Sequence, residues 1–152
     1  MITKTKYHHG DLRKSLVSTA SDMVAEAGIE GLSLRKLAEK IGVSRTAAYH
    51  HFTDKNDLLC AIAEQAFERW HQISSEIFSQ ENLSNVDKYR SFVHAYIGFA
   101  NDNPSLYELM FGRVIWKENN STATLKNIAY TSFNYQVEMI KLWQEQGIIN
   151  SE

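Results

Sequence analysis

The stretch that most constrains the fold is residues 33–52, SLRKLAEKIGVSRTAAYHHF. Its apolar residues recur at the three- and four-residue intervals that place side chains on one face of a helix. Gly42 interrupts the pattern, and glycine accepts the positive φ that a tight turn requires. Ala38 supplies the small side chain needed where two helices cross at a steep angle. The stretch therefore predicts two short helices joined by a tight turn. Three apolar side chains should close the space between them: Val43, Ala48 and Phe52.

The rest of the chain also follows helical periodicity. The sequence has one proline and seven glycines in 152 residues, which favours an all-α fold because helix interiors exclude proline. Periodicity and capping residues predict seven helices, at residues 11–27, 33–41, 44–51, 54–77, 84–101, 106–111 and from beyond Asn119 to just before Gly147. In the last helix five apolar residues are predicted to face inward: Ile128, Phe133, Val137, Ile140 and Trp143.

The charge is unevenly divided along the chain. The net charge is -2, but residues 1–57 carry +2 and residues 58–152 carry -4. This modest asymmetry supports the two domains that we expect, a head with a basic N-terminal arm at residues 1–53 and a helical regulatory domain at residues 54–152. The cations at the start are Lys4, Lys6, Arg13 and Lys14, which would form either an arm along phosphates or a solvated tail.

The third predicted helix has a solvent face suited to nucleic acid. The residues on this face can all bond to phosphates or base edges: Ser44, Arg45, Thr46, Tyr49 and His50. His50 and His51 are adjacent and so point about 100° apart on a helix. We expect His50 to face the nucleic acid and His51 to have a structural role.

Residues 7–70 resemble the TetR family of bacterial regulators. The family's pattern is matched by Ser33, Leu37-Ala38, Gly42-Val43-Ser44, Tyr49-His50-His51-Phe52 and Lys55. The resemblance implies a repressor that binds a palindromic double-stranded DNA operator as a homodimer and is released by a small-molecule effector. It also implies a cytoplasmic, bacterial protein.

The resemblance implies which residues of this sequence would contact DNA. Arg45 and Thr46 would read base edges, and Ser44, Tyr49 and His50 would contact phosphates. Further phosphate contacts would come from Ser33, Lys55, Tyr7 and His8. Each has a simpler alternative, since Arg45 and Lys55 could be ordinary surface residues and Ser33 a simple helix cap.

Two further motifs, HHGDLR at residues 8–13 and NPSLYELMFG at residues 103–112, resemble the TetR subgroup whose C-terminal domain is named for a Trp-His-Gly motif. Members of that subgroup continue for two more helices, so we expect either a truncated sequence or pairing through the fourth to seventh helices. The subgroup's usual cavity would be lined here by Trp70, Phe92, Tyr96, Phe99, Tyr107, Phe111, Trp116, Tyr130, Phe133 and Asn134. Ordinary core packing of these side chains is the alternative.

Other functional classes find little support in the sequence. Cys60 is the only cysteine, which excludes an intramolecular disulfide, and no apolar run approaches the ~20 residues that span a bilayer. The histidines lack metal-binding spacing, and neither a GxSxG elbow nor a glycine-rich phosphate loop is present. We therefore expect no catalysis, metal or cofactor. A helical protein-interaction module that keeps the head but lacks ligand-controlled DNA binding remains the alternative function.

Overall fold

The computed structural model describes residues 9–117 and 120–150, which form eight helices and no strand. The helices are α1 (His9–Gly31), α2 (Leu34–Ile41), α3 (Arg45–His51), α4 (Lys55–Phe78), α5 (Asn85–Asp102), α6 (Pro104–Phe111), α7 (Arg113–Trp116) and α8 (Ala123–Glu145). The all-α fold is confirmed, and every predicted helix has a counterpart. Within the described ranges, no helix is long and apolar enough to cross a membrane.

Two features differ from the prediction by more than one or two residues at a helix end. Gly28, predicted to end the first helix, breaks it with a φ of 70° and a ψ of 175°, but helical hydrogen bonding resumes as far as Gly31. The short helix α7 has no predicted counterpart, because four residues are too few to show helical periodicity. The indole N–H of Trp116 donates to the carbonyl of Met110 at 2.7 Å and ties α7 back to α6.

The turn between α2 and α3 has the predicted capping residues. The Ser33 side chain accepts a hydrogen bond from the Lys36 N–H at the start of α2. Gly42 ends α2 with a φ of 80°, and the N–H groups of Gly42 and Val43 donate to the last carbonyls of the helix, as in a Schellman motif. Ser44 then caps α3 by accepting from the Ala47 N–H at 3.1 Å.

The described residues up to Ile62 form one compact unit, and those from Ala63 onward form a second. Helix α4 contributes residues to both units. The core of the first unit contains Leu16, Ala20, Val24, Leu32, Leu34, Leu37, Ala38, Ala48, Phe52, Leu58 and Ile62. Ala38 and Ala48 are both fully buried, which agrees with their predicted place between the two helices.

Aromatic rings fill the core of the second unit, which holds all three tryptophans of the chain. Trp70 on α4 is buried against rings of α5, with centroid distances of 5.4 to 5.6 Å to Phe92, Tyr96 and Phe99. Trp143 on α8 is buried against Phe78, Tyr89 and Phe92. Aromatic pairs of this kind stabilise a fold beyond their burial of apolar area.

The inward face predicted for α8 is partly wrong. Trp143 is buried as expected, but Phe133 is 61% exposed and Ile140 38% exposed. The buried positions of α8 are instead Leu125, Ser132 and Trp143. The helix carries two apolar stripes, and periodicity alone does not tell which of two stripes meets the core.

Candidate nucleic-acid interface

Helix α3 presents one polar face to solvent and one small apolar face to the head. Arg45, Thr46, Tyr49 and His50 are exposed, whereas Ala48 is buried. Ser44, also exposed, keeps its side-chain oxygen on the helix start as a cap. The five residues predicted to contact DNA from this helix therefore share one accessible face, while His51 is half-buried.

A carboxylate from α2 reaches the arginine at the start of this face. Glu39 Oε1 lies 3.2 Å from Arg35 Nε and 4.0 Å from Arg45 Nη2. All three side chains are at least 60% exposed. The sequence reasoning did not single out Glu39, because its contact with Arg45 joins two helices and no local spacing reveals it.

The start of α4 is fixed by a reciprocal pair of side-chain caps. The Asp57 N–H donates to Asp54 Oδ1 at 2.8 Å, and Asp57 Oδ2 accepts from the backbone N–H and hydroxyl of Thr53. These bonds satisfy donors that the first turn of a helix would otherwise leave unpaired. Lys55 is thereby held in the first turn, half-buried, at the end of the head that follows α3.

Three predicted residues remain, namely Ser33, Tyr7 and His8, and the structure adds one further cation, Arg13. Ser33 is half-buried and acts as the cap of α2, while Tyr7 and His8 lie outside the described residues. The exposed Arg13 of α1 places its guanidinium carbon 5.2 Å from the centroid of the Phe52 ring, at the end of α3. The sequence had suggested Arg13 only as part of a basic arm along phosphates or a solvated tail, because the pairing with Phe52 spans 39 positions.

In the second unit, the residues predicted to line a ligand cavity form three groups, of which the first two meet at Tyr96 and Tyr107. Trp70, Phe92, Tyr96 and Phe99 pack against one another in the core. A second group packs around α6 and α7: Tyr107, Phe111 and Trp116. The third group lies on the exposed face of α8: Tyr130, Phe133 and Asn134.

A different open groove of about 450 Å³ lies in this unit. Its walls are Ser75, Phe78, Ser79, Asn85, Lys88, Tyr135, Met139, Leu142 and Trp143. The Lys88 ammonium donates to the Phe78 carbonyl at 2.9 Å, so it caps the end of α4 at the edge of the groove. Sites of 300 to about 1,000 Å³ with apolar walls and a few polar groups suit small molecules.

One tyrosine pair in this unit has a perturbed acidity. The hydroxyls of Tyr96 and Tyr107 lie 2.8 Å apart. Burial and then the hydrogen bond with Tyr107 raise the pKa of Tyr96 to about 12. The Tyr96 phenol is therefore neutral near pH 7. Across residues 9–117 and 120–150, no three His, Cys, Asp or Glu side chains lie together so as to hold a metal ion.

The head thus has the features of a helix-turn-helix DNA-binding domain, namely two capped helices, a left-handed glycine between them and an exposed polar face on the second. Residues 16–62 match the family described as "Bacterial regulatory proteins, tetR family". Residues 16–62 are therefore similar to the head shared by the regulators of that family.

The curated relatives that match this chain include a protein named as a repressor and one named as a nucleoid occlusion factor. The chain is 44% identical over 81 residues to the tetracycline repressor protein class C of Escherichia coli, covering 53% of this chain and 34% of that protein. It is 24% identical over 145 residues to the nucleoid occlusion factor SlmA of Yersinia enterocolitica, covering 92% of this chain and 73% of that protein. The chain spans roughly a third of the length of the first curated relatives it matches.

Solved structures share the fold over nearly the whole chain. A protein of unknown function from Rhodococcus sp. RHA1 has a TM-score of 0.80 at 29% identity, covering 98% of this chain and 76% of that one. A TetR transcriptional regulator from Legionella pneumophila has a TM-score of 0.65 at 18% identity, covering 99% and 77%. The second unit therefore also has the helical fold found in TetR regulators.

Proposed function

We propose that this chain is a sequence-specific, double-stranded-DNA-binding regulator of transcription. The observation that carries the proposal is the exposed face of α3, where Arg45, Thr46, Tyr49 and His50 project from a helix whose other side is fixed by the buried Ala48. A helix of this width enters the major groove, where side chains can reach base edges.

The roles of these side chains follow from their chemistry. Arg45 can donate two parallel hydrogen bonds to guanine, a contact worth about 1–3 kcal/mol of discrimination. Thr46 would contact a base edge beside it, and Ser44, Tyr49 and His50 would reach phosphates. Further phosphate contacts would come from Lys55, Ser33, Tyr7 and His8, which position the head without reading sequence.

The test uses a duplex selected by this chain from a random-sequence library and a shuffled duplex of the same composition. Arg45→Ala should weaken binding to the selected duplex about 5- to 150-fold, as the loss of one bidentate contact requires. Lys55→Ala should weaken binding to both duplexes. It should also make the dependence of affinity on salt concentration shallower, by the amount expected for the loss of about one phosphate contact. Lys126→Ala, on the exposed surface of α8, is the matched control. Equal binding of both duplexes by the wild type would contradict the proposal.

The chain would act as a repressor that releases DNA when a small effector binds its second unit. The groove beside Phe78, Tyr135 and Trp143 supports this assignment because it combines aromatic walls with the Lys88 ammonium at its edge. Such a site suits a flat, apolar molecule that carries a hydrogen-bond acceptor or a negative charge. The motif at residues 103–112, which forms α6 and its flanking residues, supports placement in the Trp-His-Gly subgroup.

Effector binding can be tested with anilinonaphthalene sulfonate, a fluorescent aromatic anion. Met139→Trp should fill the groove and reduce dye binding, whereas Ile97→Trp, at an exposed position of α5, should leave it unchanged. Compounds that displace the dye should then lower affinity for the selected duplex, because an effector acts only through different affinities for the two states. If Met139→Trp binds the dye as well as the wild type does, the groove is not the effector site.

A homodimer would place two α3 helices in successive major grooves, about 34 Å apart. The exposed stripe of α8 supports pairing through this helix, because its apolar residues follow the three- and four-residue spacing of a helix-packing seam: Tyr130, Phe133, Val137 and Ile140. Phe133→Asp should convert a dimer into a monomer in sedimentation experiments, whereas Thr131→Asp, at an exposed polar position, should not. A dimer that survives Phe133→Asp would place the interface elsewhere.

A further inference from the structure

Arg45 stands at a helix start that has no acidic residue of its own. It directly follows the cap Ser44, and the first turn of α3 contains no Asp or Glu. The N-terminal end of a helix carries a partial positive charge, which disfavours a cation and favours an anion. A counter-charge comes from the neighbouring helix, since Glu39 Oε1 lies 4.0 Å from Arg45 Nη2.

Glu39 is itself held in place along α2. Arg35 Nε donates to the same oxygen, Oε1, at 3.2 Å from one helical turn before it. The carboxylate therefore lies between two guanidinium groups, one on each helix of the motif. Exposed ion pairs contribute little to folding stability. This arrangement should therefore matter more for the orientation of the two arginine side chains than for the stability of the fold.

We infer that Glu39 is a positioning residue that holds Arg45 for base reading and keeps it from indiscriminate phosphate contact. The inference rests on the proposed DNA-binding function. A guanidinium has five N–H donors, so Arg45 can direct two at a guanine while others remain towards Glu39. A phosphate drawn to Arg45 would instead approach the Glu39 carboxylate and be repelled by it. Glu39 therefore penalises non-specific DNA more than the selected sequence.

The experiment compares Glu39→Gln with Glu26→Gln on the selected and shuffled duplexes. Both variants remove one exposed carboxylate from the head, but Glu26 pairs with Lys40, at 3.3 Å, and not with Arg45. Glu39→Gln should bind the shuffled duplex more tightly and with a steeper salt dependence, and its preference for the selected duplex should fall by about two- to fivefold. Glu26→Gln should change affinity for both duplexes by the same factor.

A double-mutant cycle identifies the partner. In an Arg45→Ala background, Glu39→Gln should no longer change the preference between the two duplexes, because the group that it positions is absent. Circular dichroism of each variant verifies that the helices are intact. If Glu39→Gln and Glu26→Gln both leave the preference unchanged, or if the effect of Glu39→Gln persists without Arg45, the inference is overturned while the proposed function stands. If the wild-type chain binds the selected and shuffled duplexes equally, both this inference and the proposed function are overturned.

Discussion

The positive φ of Gly42 predicts the direction in which a substitution changes the stability of the head. With a φ of +80°, Gly42 adopts a backbone conformation that costs an alanine about 1–2 kcal/mol. A Cβ placed there would meet no heavy atom within 4 Å, so the cost is backbone strain and not a steric clash. Alanine also loses less entropy on folding than glycine, by about 0.4–1 kcal/mol. Gly42→Ala should therefore destabilise the head by about 1 kcal/mol.

Gly98 offers a control with the same chemical change and the opposite expected sign. It lies inside α5 with a helical backbone, and a Cβ there also has open space within 4 Å. Alanine is favoured over glycine in a helix interior by about 0.5–1 kcal/mol. Gly98→Ala should therefore stabilise the second unit, although both substitutions add a single methyl group.

Amide hydrogen exchange is the suitable assay because it reports stability locally. A loss of about 1 kcal/mol should reduce the protection of α2 and α3 amides about fivefold in Gly42→Ala, and lower the thermal midpoint of the head by about 4–8 °C. Gly42→Asn should lose less, because asparagine tolerates the left-handed region better than alanine. Unchanged protection in Gly42→Ala, or an equal loss in Gly98→Ala, would refute the attribution to a positive φ.

Three further outcomes follow from individual contacts. Ser44→Ala should destabilise α3 by about 1 kcal/mol through loss of its cap, whereas Ser44→Asp should retain thermal stability but weaken DNA binding, since a carboxylate caps a helix and repels phosphate. Tyr107→Phe should lower the pKa of Tyr96 in a spectrophotometric titration but leave it above 10, since burial is the larger cause of the shift. Because the folded-state pKa of Tyr96 lies above its unfolded value of 10.0, the stability contributed by the neutral phenol is present below pH 10 and lost as pH rises towards 12. Trp143→Ala should cost about 3–5 kcal/mol in urea unfolding, and Leu142→Ala, at a partly exposed neighbouring position, much less; similar losses would contradict the assigned faces of α8.

The head could be predicted closely because its signals are local. Ser33, Gly42 and Ser44 each fix a helix end through bonds to residues within five positions, so their roles are visible in sequence spacing. The exposed face of α3 then follows from the buried Ala48 and the helical period. Arg45 and Thr46 fall on that face without any knowledge of the rest of the fold.

The packing of the helices in the second unit and the contacts between helices at the interface could not be predicted, since they depend on segments far apart in the sequence. Ser132 is buried in α8 while the larger and more apolar Phe133 beside it is exposed, the reverse of what hydrophobicity suggests. Which stripe of α8 meets α4 and α5 is settled only when those helices pack. The Glu39–Arg45 and Arg13–Phe52 contacts likewise join different helices.

The placement of the three tryptophans divides the chain spectroscopically. The second unit contains Trp70, Trp116 and Trp143. Intrinsic tryptophan fluorescence therefore reports the unfolding of that unit and not the unfolding of the head. Far-ultraviolet circular dichroism records helices of both units. Superimposable melting curves from the two signals would therefore mean that the units unfold as one cooperative block, and separated curves would give each unit its own stability.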